Sequence, residues 1–188
     1  MFKEKKLSLL NPSFSSPLVD VMTDLEYVRK MQLQGTTPGF IFFQLKLIFH
    51  TIESLSSARI EGNHTTLSDY LDSKLEGKIG ENEKLQEIQN IEGALDYIDE
   101  IIKEGDEITG SFIRELHSLT VDKLSPKREG STEPGAYRSK QVYISKSEHI
   151  PPPPSLVEMY MDELTTFINQ KDPPKYDLMK VALAHHSE

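Results

Sequence analysis

In Ser57-Ala58-Arg59-Ile60-Glu61-Gly62-Asn63 a hydroxyl and a carboxylate stand four residues apart at the end of a helical stretch. That spacing stacks Ser57 and Glu61 on one face. A carboxylate in a last helical turn lies beside the negative end of the dipole, at about 0.3–1 kcal/mol unless a cation compensates. Glu61 is therefore placed to meet a cation, and a solvated Glu on a frayed helix end is the alternative that spacing leaves open. Gln141-Val142-Tyr143-Ile144 alternates polar and apolar residues, as an edge strand would. Such an edge offers N–H and C=O groups to an extended peptide; a solvated hairpin strand whose Val142 and Ile144 cap the core is its alternative. Other groups suggest less chemistry. His185 and His186 are adjacent and point about 100° apart on a helix, where metal pairs need spacings of three or four. His117 reads as a core-edge histidine, Tyr137 and Arg138 as structural residues after a turn, and the acidic run Glu76–Glu92 as a solvated helix face. No metal-ligating set emerges.

The positioning elements follow from periodicity. Ile41, Leu45, Ile48, Ile52 and Leu55 recur at spacings of four and three, predicting a helix over Pro38–Glu61 that buries this stripe. Thr37-Pro38 is its start signal and Gly62 its stop. A short helix is expected within Asp20–Gln34, and another from the cap at Thr66 to Glu76, before Gly77. Leu85, Ile88, Ile91, Leu95, Ile98 and Ile102 predict a helix over Glu83–Lys103, ended by Gly105. Further helices start at Thr109, span Ser155–Asn169 and begin near Tyr176. Pro126–Pro154 is long and rich in Pro, Gly and Ser, which marks a functional or disordered loop. Pro151–Pro154 reads as a rigid lead-in to the next helix, with a polyproline ligand as the alternative.

In order along the chain, these motifs resemble the Fic (Fic/DOC) family of protein adenylyltransferases. Ser57-x-x-x-Glu61-Gly62 is similar to the family's inhibitory motif, and Asn63-His64-Thr65-Thr66-Leu67 follows as in members whose inhibitory helix precedes the core. Pro134-Gly135-Ala136-Tyr137-Arg138 leading into Gln141–Ile144 looks like the target-binding flap. His149-Ile150-Pro151-Pro152-Pro153-Pro154 then opens a helix, also as in that family; the similarity runs from about Leu55 to the last residue. The resemblance implies a mostly α fold, a Fic-type helical bundle with one β-hairpin flap, incomplete at the C-terminus. Residues 1–80 would form an N-terminal helical region carrying the inhibitory helix, and residues 81–188 the N-terminal part of the core, flap included.

The implied reaction is attack of a target Ser, Thr or Tyr hydroxyl on the α-phosphate of ATP, with Mg²⁺. Glu61 then resembles a plug that pairs with an arginine needed for the γ-phosphate, supported by Ser57, Gly62 and Asn63. Gln141, Val142, Tyr143 and Ile144 would hold the target protein. The family's catalytic loop, His-Pro-Phe-x-Asp/Glu-Gly-Asn-Gly/Lys-Arg, does not occur in this sequence, so no catalytic residue can be named and the chain by itself is expected to be inactive. Leu178, Val181 and Ala182 form an apolar face still running at Glu188, which reads as the N-terminal portion of a longer protein. Two other readings stay open: a non-catalytic Fic-like regulatory or target-binding module, and an intact enzyme that mainly removes AMP.

Composition narrows the classes. The 188 residues suit one domain or a domain with a helical extension. The absence of cysteine removes disulfides, thiolate metal sites and cysteine nucleophiles, and fits a cytoplasmic protein. A net charge of −9 argues against nucleic acid as a partner of this portion. No run approaches the roughly 18 apolar residues of a membrane span, and no signal peptide is apparent. Self-association is compatible with the composition, and the sequence does not decide it.

Overall fold

The computed structural model describes residues 7–31, 36, 38–126, 133–143 and 150–186. These form seven α-helices and no strand among the described residues. The chain divides into two compact units, one of residues 1–35, 107–110 and 137–188, the other of 36–106 and 111–136.

The second unit holds α2 (Gly39–Ile60), α3 (Leu67–Leu75), a 3₁₀ turn at Ile79–Glu81, α4 (Glu83–Ile101) and most of α5 (Gly110–Thr120). Caps set the boundaries. The Asp69 amide donates to Thr66 Oγ1 (3.2 Å) while the Thr66 hydroxyl donates to the Asp69 carboxylate (2.6 Å), a reciprocal N-terminal box for α3. Asn82 Oδ1 accepts from the Lys84 amide at 2.9 Å and starts α4. The expected Thr37 cap of α2 lies outside the described residues, and Pro38 immediately precedes the first helical residue. Leu55, Ala58, Tyr70, Ile79, Leu85 and Ile88 make the core, with Ile91 packed against it. Tyr97 of α4 stacks on Phe112 of α5, with ring centroids 6.2 Å apart.

The expected buried stripe of α2 is corrected here. Only Leu55 of that stripe is buried; Ile41, Leu45, Ile48 and Ile52 are exposed, and the helix buries Thr51, Ser54, Leu55 and Ala58 instead. Small side chains let α2 come close to α4, its main packing partner in this unit. The Ser54 hydroxyl donates back to the His50 carbonyl (2.8 Å), so that face needs no outside acceptor at that position.

The first unit holds α1 (Pro17–Lys30), α6 (Pro154–Asn169), a 3₁₀ turn at Pro174–Tyr176 and α7 (Asp177–His186). Ser16 caps α1 by accepting from the Leu18 amide at 3.3 Å, with Pro17 at the first helical position. Leu164 and Phe167 of α6 and Met179 of α7 are its buried apolar residues. The face expected on α7 is exposed at Leu178, Val181 and Ala182, and Met179 is the residue that turns inward. Asn169 makes a two-bond clasp on Ile108, accepting from its amide at 2.9 Å and donating to its carbonyl at 2.8 Å. Among the described residues no helix is long and apolar enough to cross a membrane.

Candidate functional site

Helix α2 ends in a Schellman turn. Glu61 is the C-cap, Gly62 follows at φ +84°, the Gly62 amide donates to the Arg59 carbonyl (3.0 Å) and the Asn63 amide to the Ala58 carbonyl (2.9 Å). Only a residue without a Cβ takes that φ at no steric cost, which is why the stop falls at glycine. Arg59 in the last turn supplies the compensating cation.

Asn63 fastens this turn to the unit. It is 1% exposed, and its side chain makes four hydrogen bonds, to α4 and to Thr65. Nδ2 donates to the Lys84 carbonyl (2.7 Å) and to the buried Glu87 carboxylate (3.0 Å); Oδ1 accepts from the amide and the hydroxyl of Thr65 (3.2 and 2.7 Å). The amide is thereby saturated, as a buried polar group must be.

Further along α4, Glu92 gathers three donors: Thr51 of α2 at 2.6 Å, Tyr70 of α3 at 2.8 Å and Lys74 of α3 at 2.6 Å. Burial works against the Glu92 carboxylate's charge, but the Lys74 ammonium and the Thr51 and Tyr70 hydroxyls outweigh it and hold the acid below its usual range. Burial and the adjoining carboxylate push the Tyr70 phenol up, so Tyr70 is a donor at any ordinary pH. Towards the start of α2, Lys46 pairs with Asp99, and His50 lies 3.4 Å from Asp96 and 3.5 Å from Asp99. Helix α2 is thus tied to α4 by polar groups along most of its docked length.

Ser57 and Glu61 stand apart from this network. Both are exposed, and among the described residues neither side chain has a hydrogen bond or ion pair. The four residues singled out from sequence, Ser57, Glu61, Gly62 and Asn63, therefore divide. Gly62 and Asn63 build the turn, and Ser57 and Glu61 are presented by it.

The expected strand falls in the other unit. Gln141, Val142 and Tyr143 carry no ladder among the described residues, and Ile144 lies outside them. Gln141 Nε2 donates to the Val142 and Pro151 carbonyls, each at 3.2 Å. The Arg138 guanidinium donates to the carbonyls of Lys140 (3.0 Å) and Pro152. Arg138 is structural, as expected, yet it ties backbone rather than a carboxylate, and it holds the proline run in place. Val142 and Tyr143 are exposed. His117 accepts from the Gly135 amide through Nδ1 (3.0 Å), which leaves its proton on Nε2 when neutral.

The reading of Glu76–Glu92 as a solvated face is corrected for two members. Glu87 is buried, and Glu92 has a side chain only 13% exposed. The signal was present: Glu92 lies four residues after Ile88 and seven after Leu85, on their face. Among the described residues no group of three His, Asp or Glu could hold a metal ion.

Comparison with known proteins adds two findings. Residues 107–187 match the model of the Fic/DOC family. A protein named "Protein adenylyltransferase Fic" from Nematostella vectensis is 30% identical over 135 residues, covering 69% of this chain. The chain spans 30% of that relative's length.

Proposed function

We infer that this chain belongs to the Fic/DOC family, and we propose that it serves an autoinhibited protein adenylyltransferase. In this reading residues 1–80 carry the inhibitory helix α2 and residues 81–188 begin the catalytic core. The family match covers α5 to α7 and not α2, so the regulatory part of the reading rests on the geometry of the α2 terminus.

The observation that carries it is the contrast between a rigid turn and a free carboxylate. Asn63 and Gly62 fix the backbone, while Glu61 extends from it without a partner among the described residues. An oriented carboxylate is what an arginine clamp needs for a short bidentate pair. Once so engaged, that arginine could not hold the γ-phosphate of ATP, and the triphosphate would lose the in-line arrangement required for attack at the α-phosphate. The transfer itself joins a target Ser, Thr or Tyr hydroxyl oxygen to the α-phosphorus and releases pyrophosphate. The phosphate contacts, the Mg²⁺ that accompanies them and the general base are assigned to the His-Pro-Phe loop, which this sequence does not contain. The 188 residues alone are proposed to be inactive. The segment around Gln141–Ile144 is proposed to dock the target by main-chain pairing. Val142 and Tyr143, both exposed, are the described residues it would present.

The test uses a version of the protein that carries the loop. Glu61→Gly should raise self-adenylylation, read as transfer of AMP from α-labelled ATP, by tenfold or more, roughly the effect of freeing one phosphate-clamping charge. Unchanged labelling with ATP binding and fold intact would rule out the plug.

A further inference from the structure

Helix α2 is held on α4 in two different ways along its length. Its buried side chains begin at Thr51, and no residue of the helix before Thr51 is buried. That first half is tied to α4, among the described residues, by one polar cluster. Lys46 pairs with Asp99, and His50 stands between two carboxylates. Its Nδ1 lies 3.4 Å from an Asp96 oxygen and its Nε2 3.5 Å from an Asp99 oxygen. Asp96 and Asp99 are three residues apart on α4 and so bracket the ring. All four residues belong to one compact unit.

A neutral imidazole has one N–H and one lone pair. Whichever tautomer forms, one carboxylate receives a hydrogen bond and the other faces a lone pair. An imidazolium donates from both nitrogens and serves both carboxylates, each through a charge-assisted bond. The His50 side chain is only 15% exposed, so few waters can stand in for the missing proton.

We propose that His50 is a proton-operated latch, which tightens the first half of α2 on α4 in mild acid and loosens it in mild alkali. The neighbouring charges leave the switching to this ring. Within one turn of the cluster stand Lys46 and Glu53 on α2, and Glu92, Glu100 and Lys103 on α4, the main packing partner of α2 in this unit. Glu92 is engaged by Thr51, Tyr70 and Lys74, and Glu100 acts on Tyr97. The Lys46 ammonium holds Asp99 below the usual carboxylate range, and the charge of His50 adds to this. Carboxylates and ammonium groups ordinarily change charge outside the interval of about pH 5–8, in which imidazole changes its own. The proton adds a bond between the helices, so the docking is complete below that interval and weakens as pH rises through it.

The latch is a property of α2 and α4 and does not rest on the adenylyltransferase reading. Its consequence does: where α2 is the inhibitory helix, acidification strengthens the restraint.

Amide hydrogen exchange of the 188-residue chain, corrected for the intrinsic rate, tests this. It is compared at about pH 5.5 and about pH 8, on either side of the ordinary imidazole value of about 6.5. Amides of residues 43–50 should be roughly two- to fivefold better protected at the lower pH, the size expected of partly exposed charge pairs, with peptides of α6 as the reference. In His50→Gln this pH response should vanish. If that variant fails to fold, Asp96→Asn, a change at an exposed position, should lower the response. Equal protection at both pH values, greater protection at the higher one, or an unchanged response in a folded variant would overturn the proposal. No transfer of AMP is measured, so the outcome is separate from that of the plug.

Discussion

Replacing Asn63 by alanine should destabilise the unit of residues 36–106 and 111–136 by about 3–5 kcal/mol. The figure is the lower part of the roughly 3–7.5 kcal/mol that its four hydrogen bonds sum to. The bond to the Glu87 carboxylate is charge-assisted, worth about 1.5–3 kcal/mol, and the neutral bonds contribute about 0.5–1.5 kcal/mol each. At 1% exposure the partners regain little water when the amide leaves, although one water entering the vacated space would recover part of the loss. Against a typical domain stability of about 5–15 kcal/mol, the unit would be brought near its threshold. Urea unfolding followed by circular dichroism gives the total. Hydrogen exchange of peptides from α4 separates this unit from the other. Asn63→Asp sharpens the test, since it keeps the shape but sets a second carboxylate against Glu87. The carboxyl introduced at that position should then titrate above its unfolded value of about 3.9. Its penalty is therefore absent below that value, grows as pH rises towards the folded pKa, and is complete above it. A loss under about 1 kcal/mol for the alanine variant, or no recovery of the aspartate variant in acid, would refute Asn63 as the fastening of the turn.

Three further outcomes are expected. Gly62→Ala meets open space at its Cβ, so its whole effect is backbone strain at φ +84°; it should lower stability by about 1–2 kcal/mol, read in thermal melts. The Glu92 carboxylate is held below its unfolded value, so its contribution is complete above about pH 4.5 and is lost as pH falls through the lower folded value. Acid unfolding of the α4 region should therefore be steeper in wild type than in Glu92→Gln, and equal slopes would show that the three donors do not act through this charge. Asn169→Ala removes both bonds of the clasp and should speed hydrogen exchange of the Ile108 amide by tenfold or more, about 1.4 kcal/mol of local opening.

The helices were legible because their signals were redundant. Gly62 and Gly77 stop α2 and α3 as read, Thr66 caps α3, and α4 follows its apolar period to within two residues of the expected end. The docked face of α2 was not legible. Its residues 40–49 are apolar nearly all round, so periodicity chose the largest side chains, whereas packing chose the smallest. Hydrophobic pattern reports which residues avoid water, not which neighbour permits the closest approach. Glu87 and Glu92 were missed for a related reason. Charge type speaks for solvent, whereas position on the helix speaks for the core, and the donors that make burial tolerable come from residues 18–41 positions away. Of the sites, the stop at Gly62 could be read from residue type alone, since φ is a local property, whereas the place of Asn63 came from the resemblance. For the strand expected at Gln141–Ile144, local alternation does not specify the neighbour that pairing needs, and residues 144–149 lie outside those described.

Gly62 and Asn63 hold the backbone, while the Glu61 side chain makes no hydrogen bond or ion pair among the described residues. If Glu61 acts as the proposed restraint, stability and regulation are written at different positions within three consecutive residues. Substitutions at Glu61 would then strengthen, weaken or abolish that restraint without passing through unfolded intermediates, and those at Asn63 would not. On that reading, lineages with this architecture could drift between restrained and unrestrained forms by single changes at one exposed site, with the scaffold untouched.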